Sequence, residues 1–464
     1  MSHISSHPDL PCLLHQASGQ HPQAPAILTP GMRVTFAELE TQVSRRADIL
    51  RLAGIRPGDW VALRTRSSLP GIIDLLAIMR SGACLLPVNP ALPMGTLTHI
   101  LEHQGIGWLL QEPGQHPCPT GQPRVHTDPD RADHGTCLQF PAHAPCSGIF
   151  TSGSTGQPRI AVHRYPNHVY SAAGSATQIP LVPGHRYLLS LPTYHIGGLA
   201  IVFRCLMGGA ALVLDGRAED AGFLLHMAVT HVSMVETQLY RLLQQSAPLP
   251  RLECLLLGGG PVRETLLATA AEHGLPCWTS YGLTEMTAQV ITQPPQAAAR
   301  ILPHRECHLN HDQEILVRGD TLFMGYRQGG HLVPATDADG WFHTRDLGRW
   351  DRGQFTVTGR LDNQFISGGE NIQPEIIEQH LHDHPDIVQA VVVPRQDPEF
   401  GQRPVAFIQS TGPLNTKALQ GWLRERLNPF MVPVAFLPLP PSADLKARRR
   451  DLIRLANAQH QRTL

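Results

Sequence analysis

The chain has 464 residues, 42% of them hydrophobic and 16% charged, which is enough for two or three domains at about 150 residues each. Lys+Arg number 37 and Asp+Glu 38, a formal net charge of -1, and this argues against a nucleic acid or a membrane surface held by bulk electrostatics. Lysine stands only at Lys417 and Lys446, so 35 of the 37 basic residues are arginine.

The first ten residues lack a basic n-region and an apolar core, so no secretory signal is expected. No run approaches a membrane helix of about 20 apolar residues, and stable membrane insertion is not expected. Nine cysteines without a CxxC pair read as reduced thiols of a cytoplasmic protein. Thr35-Phe-Ala-Glu38 has the form of a capping box, and Phe36, Leu39, Val43, Ala47 and Leu50 follow at helical spacing. Trp60 to Leu63 reads as a strand, Ile72 to Met79 as an apolar helix, Cys84 to Val88 as a second strand and Leu97 to His103 as another helix. Such alternation predicts a parallel sheet with crossover helices.

From about 111 to 147 the composition turns to Pro, Gly, His and Asp, which predicts a loop or short edge structure. Strands resume at Arg186 to Ser190, Ala211 to Leu214 and Leu255 to Leu257, the last breaking into Gly258-Gly-Gly-Pro261 before a helix from about Val262 to Glu272. Beyond about residue 300, Glu314 to Val317 and Gln354 to Val357 predict a small β-rich lobe. A compact βα segment closes the chain, with helices over Glu375 to His384 and Lys417 to Leu427 and strands at Ala390 to Val393 and Pro404 to Ile408. The expected fold is therefore α/β: a large N-terminal body with parallel sheets over 1–361 and a C-terminal α+β domain over 362–464, divided near Asp362.

The most informative stretch is Phe150-Thr-Ser-Gly-Ser-Thr-Gly-Gln-Pro-Arg159. Hydroxyls and glycines from Thr151 to Gly156 (Thr151, Ser152, Gly153, Ser154, Thr155, Gly156) suit a loop whose N–H groups turn inward around an anion. Arg159 adds a cation for phosphate. The Walker A pattern is absent, which disfavours an ordinary P-loop NTPase.

This run resembles the phosphate loop of the adenylate-forming acyl-CoA synthetases. Tyr281-Gly-Leu-Thr-Glu285, Gly340-Trp-Phe-His-Thr-Arg-Asp346, Gly359-Arg-Leu-Asp362 and Ser367-Gly-Gly-Glu-Asn-Ile-Gln-Pro-Glu375 resemble further motifs of that family, in order and spacing. Within the family the chain looks most like the o-succinylbenzoate–CoA ligase branch of menaquinone synthesis. The likeness rests on Leu86-Pro-Val-Asn-Pro90, Ala161-Val-His163, Thr344-Arg-Asp346, Gly359-Arg-Leu-Asp-Asn363 and Glu399-Phe-Gly-Gln-Arg-Pro404.

The resemblance implies a two-step reaction: a carboxylate attacks the α-phosphate of ATP, and CoA thiol then displaces AMP from the acyl-adenylate. It also implies catalysis between the large body and a C-terminal cap that rotates about a hinge Asp, carrying the Gly368-Gly369 loop toward the active site. The implied nucleotide set is Thr151 to Gly156, Arg159, Gly258, Tyr281, Gly282, Thr284, Asp346, Arg360, Gly368 and Gly369. Tyr281 offers a face to adenine and Asp346 two acceptors to the ribose. Glu285 is the implied Mg²⁺ carboxylate, because Mg²⁺ takes few protein oxygens beside phosphate and water. His195, in Leu191-Pro-Thr-Tyr-His-Ile-Gly-Gly198, matches a motif lining the acyl pocket, with Thr237, Gln238 and Arg241 as further pocket positions.

Lys446, in Asp444-Leu-Lys-Ala-Arg-Arg-Arg450, resembles the family's catalytic lysine near the chain's end. A compact ammonium sits between two anionic oxygens in a way that a planar guanidinium does not. Were arginine and lysine interchangeable in this chain, a given basic position would be lysine 2 times in 37.

Three positions depart from the pattern: Arg159 stands where the family has Lys, Gly197 where the branch often has Ser, and Glu236 where it often has Pro. The last two adjoin the acyl pocket, so another aryl- or acyl-CoA ligase stays open, as does an inactive acyl-adenylate-binding regulator. His380, His382 and His384 cluster, but a helix C-terminus favours histidine through its dipole. Cys307, His308 and His311 lack a second ligand pair. Expected partners are small molecules, and the oligomeric state is left open, a homodimer included.

Overall fold

The computed structural model describes residues 9–111, 118–119, 137–151, 159–245, 247–260, 262–440 and 449–461. The chain divides into two compact units. The first comprises Met1–Val262, Leu267–His308 and Leu316–His343, and the second Arg263–Leu266, Leu309–Ile315 and Thr344–Leu464.

The first unit is built on two large sheets. The helix Phe36–Leu52 starts as its sequence predicts: Thr35 Oγ1 accepts the Glu38 N–H at 3.2 Å, and the Glu38 carboxylate accepts the Thr35 N–H at 2.8 Å. These two bonds satisfy donors that every helix N-terminus leaves bare. Its apolar stripe of Leu39, Val43, Ala47 and Leu50 is buried, as is most of the helix Leu69–Arg80, capped by Ser68 with Pro in the first turn. Two ion pairs join these helices, Arg46 Nε to Asp74 Oδ1 at 2.5 Å and Arg80 Nη2 to Glu40 Oε2 at 2.8 Å. The same core takes in Leu199, Ile201 and Phe203 of the helix Ile196–Gly208. Burying one such side chain contributes about 1.5–3 kcal/mol, and truncating Phe203 to Ala would cost about 3–5 kcal/mol.

One sheet has eight strands in the order His331–Val333, Gly325–Gln328, Arg159–Arg164, Pro145–Thr151, Cys84–Val88, Trp60–Arg64, Trp108–Leu110, Cys118–Pro119. The other has nine: Arg300–Ile301, Ala288–Gln293, Cys277–Leu283, Cys254–Leu257, His231–Met234, Arg186–Leu188, Ala211–Val213, Pro25–Thr29, Met32–Thr35. From Cys277–Leu283 through to Pro25–Thr29 its neighbours run parallel, and the outer pairs are antiparallel. The stretch expected to be loop or edge structure is partly that: Gln139–Phe140 pairs with Leu10–Pro11, and Cys118–Pro119 with Trp108–Leu110. Pro145–Thr151, however, is an inner strand of the eight-stranded sheet; Pro145 sits at its first position, where a missing N–H is tolerated.

A four-stranded sheet of Glu306–Leu309, Glu314–Arg318, Phe342–Asp351 and Gln354–Arg360 forms the expected β-rich lobe, and the division between units falls within it. Further along, Ile387–Asp397, Gly401–Ser410 and Ala435–Pro438 make a three-stranded sheet. Ile377, Leu381, Val392, Leu419 and Leu423 pack in one cluster, and Val393, Val405, Phe407, Leu452 and Ala456 in another. Neighbouring Val392 and Val393 thus serve different clusters, as the two-residue period of a strand requires.

Candidate active site

In the nine-stranded sheet, the carboxyl ends of the parallel strands lead into the sequence-predicted residues. His195 follows Arg186–Leu188, the helix Glu236–Leu243 follows His231–Met234, Gly258 follows Cys254–Leu257, and Cys277–Leu283 carries Tyr281 and Gly282 into Thr284 and Glu285. Ligands of open α/β sheets bind at that end.

The predicted phosphate loop connects two antiparallel strands, with Thr151 paired to Arg159 and the Thr151 hydroxyl donating to the Arg159 carbonyl at 3.4 Å. Ser152, Gly153, Ser154, Thr155 and Gly156 lie outside the described residues. Arg159 holds its guanidinium 4.2 Å from the ring centroid of Tyr326. Tyr326 in turn donates its hydroxyl to Glu285 Oε1 at 2.6 Å. One ring thereby connects the cation at the loop mouth with the predicted metal carboxylate. The buried Arg159 Nε has no hydrogen-bond partner among the described residues, so this cation retains capacity to bind an anion.

Glu285 sits on a short 3₁₀ turn, Thr284–Met286, fastened on several sides. His163 Nε2–H donates to the Thr284 carbonyl at 2.7 Å, and Phe323 N–H donates to the Glu285 carbonyl at 2.8 Å. Thr287 Oγ1 donates to the Thr321 carbonyl at 2.8 Å. Burial lowers the pKa of His163 to about 4, although its bond to Thr284 opposes the shift, so the imidazole is neutral at pH 7. Thr287 and Ala288 both adopt positive φ, +53° and +87°, conformations that non-glycine residues hold only where their surroundings impose them. Gly282 is required by close approach, since a Cβ there would stand 2.1 Å from the Ala288 carbonyl oxygen. At Gly258 a Cβ would come within 3.1 Å of Ser280 Oγ.

His195 occupies the N-cap position of Ile196–Gly208, exposed, with its ring 4.7 Å from that of Tyr194. A Cβ on Gly198 would meet the Pro192 carbonyl at 2.2 Å, so glycine lets this helix begin directly beneath the His195 loop. Thr237, Gln238 and Arg241 share the helix Glu236–Leu243. Gln238 caps it by accepting the Val235 N–H at 3.1 Å and reaches Glu219 Oε2 at 3.4 Å. Arg241 Nη1 lies 3.8 Å from Glu219 Oε1, which Arg217 already holds at 2.5 Å. Arg204 is different: it is buried, its one hydrogen bond is a 3.5 Å contact to Tyr187 Oη, and it has no carboxylate partner among the described residues.

In the second unit, Asp346 and Arg360 face each other across two paired strands, with Nη1 to Oδ1 at 2.7 Å. Arg345 Nε lies 3.2 Å from one oxygen of Asp362 and Arg360 Nη2 3.6 Å from the other. Gly368 and Gly369, at φ +58° and +87°, form the two-residue turn of a hairpin in which Ser367 pairs with Glu370. Two-residue hairpins favour primed turns, and positive φ at both central positions marks this one as type I′. The Gly368 N–H also donates to the Phe400 carbonyl at 2.9 Å. Lys446 lies outside the described residues. Three positions later, Arg449 is held by Glu375 at 3.2 Å and Glu378 at 2.8 Å.

The two histidine-containing groups of the sequence disperse. His382 Nε2 accepts the Ala390 N–H, His384 Nδ1 accepts the Asp386 N–H, and His380 faces Asp383 at 4.0 Å. His308 lies near Trp341 and His311 near Asp312. Tyr326, His163 and Arg204 escaped the sequence reading as site residues, since only the strand register and the burial of Arg204 give them meaning. His163 alone had a signal, in the Ala161-Val-His163 likeness.

The catalytic-end geometry accords with what the chain resembles. Residues 14–327 match the AMP-binding enzyme family and residues 376–443 the AMP-binding enzyme C-terminal domain. The 2-succinylbenzoate–CoA ligase of Salmonella typhimurium is 35% identical over 93% of this chain and 94% of its own. Two structures of Bacillus subtilis o-succinylbenzoate CoA synthetase are also similar. One, with the acyl-adenylate intermediate OSB-AMP, superposes with a TM-score of 0.85 at 28% identity, over 96% of this chain and 98% of that one. The other, with ATP and magnesium ion, gives 0.83 at 27%, over 96% and 100%. Among the described residues no helix is long and apolar enough to cross a membrane. The chain belongs to the AMP-binding enzyme family, in the branch whose curated members are 2-succinylbenzoate–CoA ligases.

Proposed function

We propose that this chain is an ATP-dependent ligase that joins 2-succinylbenzoate to CoA, a cytoplasmic step of menaquinone biosynthesis. A substrate carboxylate oxygen bonds to the α-phosphorus of ATP as the bond to pyrophosphate breaks. The CoA sulfur then bonds to the acyl carbon as the bond to AMP breaks, giving 2-succinylbenzoyl-CoA. The observation that carries the adenylation reading is the chain from Arg159 over Tyr326 to Glu285 at the carboxyl end of the sheets.

The residues fit a magnesium nucleotide: a half-buried cation whose Nε has no partner among the described residues, and a carboxylate with one oxygen steadied by Tyr326. Glu285 would hold Mg²⁺, which neutralises phosphate charge as it shifts. Thr151 to Gly156 and Arg159 would hold phosphates, Tyr281 the adenine, and Asp346, steadied by Arg360, the ribose. His163 keeps the Glu285 turn in place without a charge of its own. Lys446 would supply the compact cation of the first step, and we assign 1–361 to ATP and acyl binding and 362–464 to the mobile cap. In the acyl pocket, His195, Thr237 and Gln238 remain the predicted lining. Arg204 is a better candidate than Arg241 for a substrate carboxylate, because the charge of Arg241 is shared with Glu219 while that of Arg204 is buried with no carboxylate partner among the described residues.

Pyrophosphate exchange across a panel of carboxylic acids tests the proposal. Exchange should be strongest with 2-succinylbenzoate. Stronger exchange with another acid would point to a different acyl-CoA ligase, and none with any acid to a binding protein without catalysis.

A further inference from the structure

The histidine groups adjacent in sequence have separate partners, whereas the nine-stranded sheet assembles a group that no spacing announces. His185 directly precedes Arg186–Leu188, His231 opens His231–Met234, and Glu253 directly precedes Cys254–Leu257. These strands are neighbours, with His231–Met234 in the middle; His231 lies beside Tyr187 on one side and Cys254 on the other. One donor atom from each of the three side chains lies within 4.8 Å of the other two.

The polar surroundings of His231 leave one nitrogen for a ligand. The Thr230 hydroxyl donates to the Arg186 carbonyl at 3.2 Å and accepts from the Arg186 N–H at 2.9 Å. The same hydroxyl lies 2.8 Å from His231 Nδ1, within hydrogen-bond distance. His231 Nε2 has no hydrogen bond among the described residues and is the nitrogen left for a ligand. A hydrogen bond on the far nitrogen is the usual way a ligating histidine is oriented. Around His185 the contacts are slack: its Nδ1 accepts the Val182 N–H at 3.4 Å, and its Nε2 lies 3.4 Å from Glu253 Oε2. Glu253 is 55% exposed and free to swing. Tetrahedral zinc with bonds of about 2.0–2.1 Å sets its ligand atoms about 3.3 Å apart, within reach of small rotations here.

We propose that His185, His231 and Glu253 form a zinc-class metal site at the amino-terminal edge of the nine-stranded sheet. Two imidazoles and one carboxylate suit a borderline divalent ion and not Mg²⁺, which prefers oxygen alone. The site straps three neighbouring strands at the end opposite the candidate active site. It therefore acts on the stability of the sheet and leaves a fourth position to water.

The full-length protein, stripped with chelator and kept free of nucleotide, is titrated with Zn²⁺ alone by calorimetry, and with Co²⁺ for its tetrahedral absorption bands. One equivalent should bind and raise the melting temperature. Glu253→Gln and His185→Gln should each weaken binding by at least about tenfold, as loss of even a ligand's hydrogen-bond partner does. Both variants should keep the wild-type circular dichroism and, in the Glu253 variant, wild-type ligase activity. His380→Gln and Glu285→Gln should bind Zn²⁺ like the wild type. Unchanged binding in the Glu253 and His185 variants, or no saturable binding by the wild type, would overturn the assignment.

Discussion

Replacing Tyr326 by Phe tests whether the ring between Arg159 and Glu285 is functional or only packing. The substitution deletes one hydroxyl, whose 2.6 Å bond fixes one oxygen of Glu285, and keeps the face that Arg159 covers at 4.2 Å. A hydrogen bond to a charged group contributes about 1.5–3 kcal/mol when nothing replaces it. Glu285 is only half-buried, so water recovers part of this and about 1 kcal/mol remains, near a fivefold change. The loss should appear as a raised magnesium and ATP requirement in pyrophosphate exchange, with the acid's own KM little altered. Tyr326→Leu also removes the cation–π contact, worth about 0.5–2 kcal/mol, and should lower exchange by a further few-fold. Wild-type exchange in the Phe variant, with the Leu variant no worse, would refute the argument that this ring couples cation and carboxylate.

Other consequences are as direct. Lys446→Ala should lose adenylation yet still pass a supplied acyl-adenylate to CoA; equal loss of both half-reactions, followed by product assay, would remove the role given to Lys446. Gly282→Ala has no room for its methyl against the Ala288 carbonyl and should abolish exchange while the melting temperature falls only modestly, because the clash is confined to one turn. Glu40→Ala strands the 1% exposed Arg80 side chain and should cost about 3 kcal/mol in denaturant unfolding at pH 7. Burial raises the Glu40 pKa, but Arg80 and His15 outweigh it and the net shift is downward. Its stabilising share is therefore present above the unfolded carboxylate value of about 4.3 and is lost as pH falls through the lower folded value, so the difference between variant and wild type should shrink in acid.

Much of the fold was legible because its signals are local. The capping box at Thr35, the apolar run of Cys84–Val88 and the break after Leu257 each state their own element, and all appear where predicted. Helix ends were less certain: the one predicted from Val262 begins at Glu264, and that predicted to reach His384 ends at His382. The inner strand Pro145–Thr151 was hidden in part by a first residue that usually marks a loop. In the candidate site, motif residues were legible by resemblance, but the couplings were not. Tyr326 matters because its strand pairs with the one that starts at Arg159, a register set between residues 165 positions apart by Ala161↔Tyr326. Arg241 was legible as a pocket position, but not that the fold places Glu219 beside it.

The Gly368–Gly369 turn has a consequence for motion. A flexible glycine loop that docks against a substrate must give up backbone freedom at about 1–2 kcal/mol per residue. Here the strand pair on either side and the bond from Gly368 to Phe400 have already restricted both residues within the folded unit. Carried toward a ligand, such a tip would move as a stiff paddle: where it went, its two strands would go, with little further entropic penalty. Lengthening the tip by even one residue would turn that paddle back into a tether.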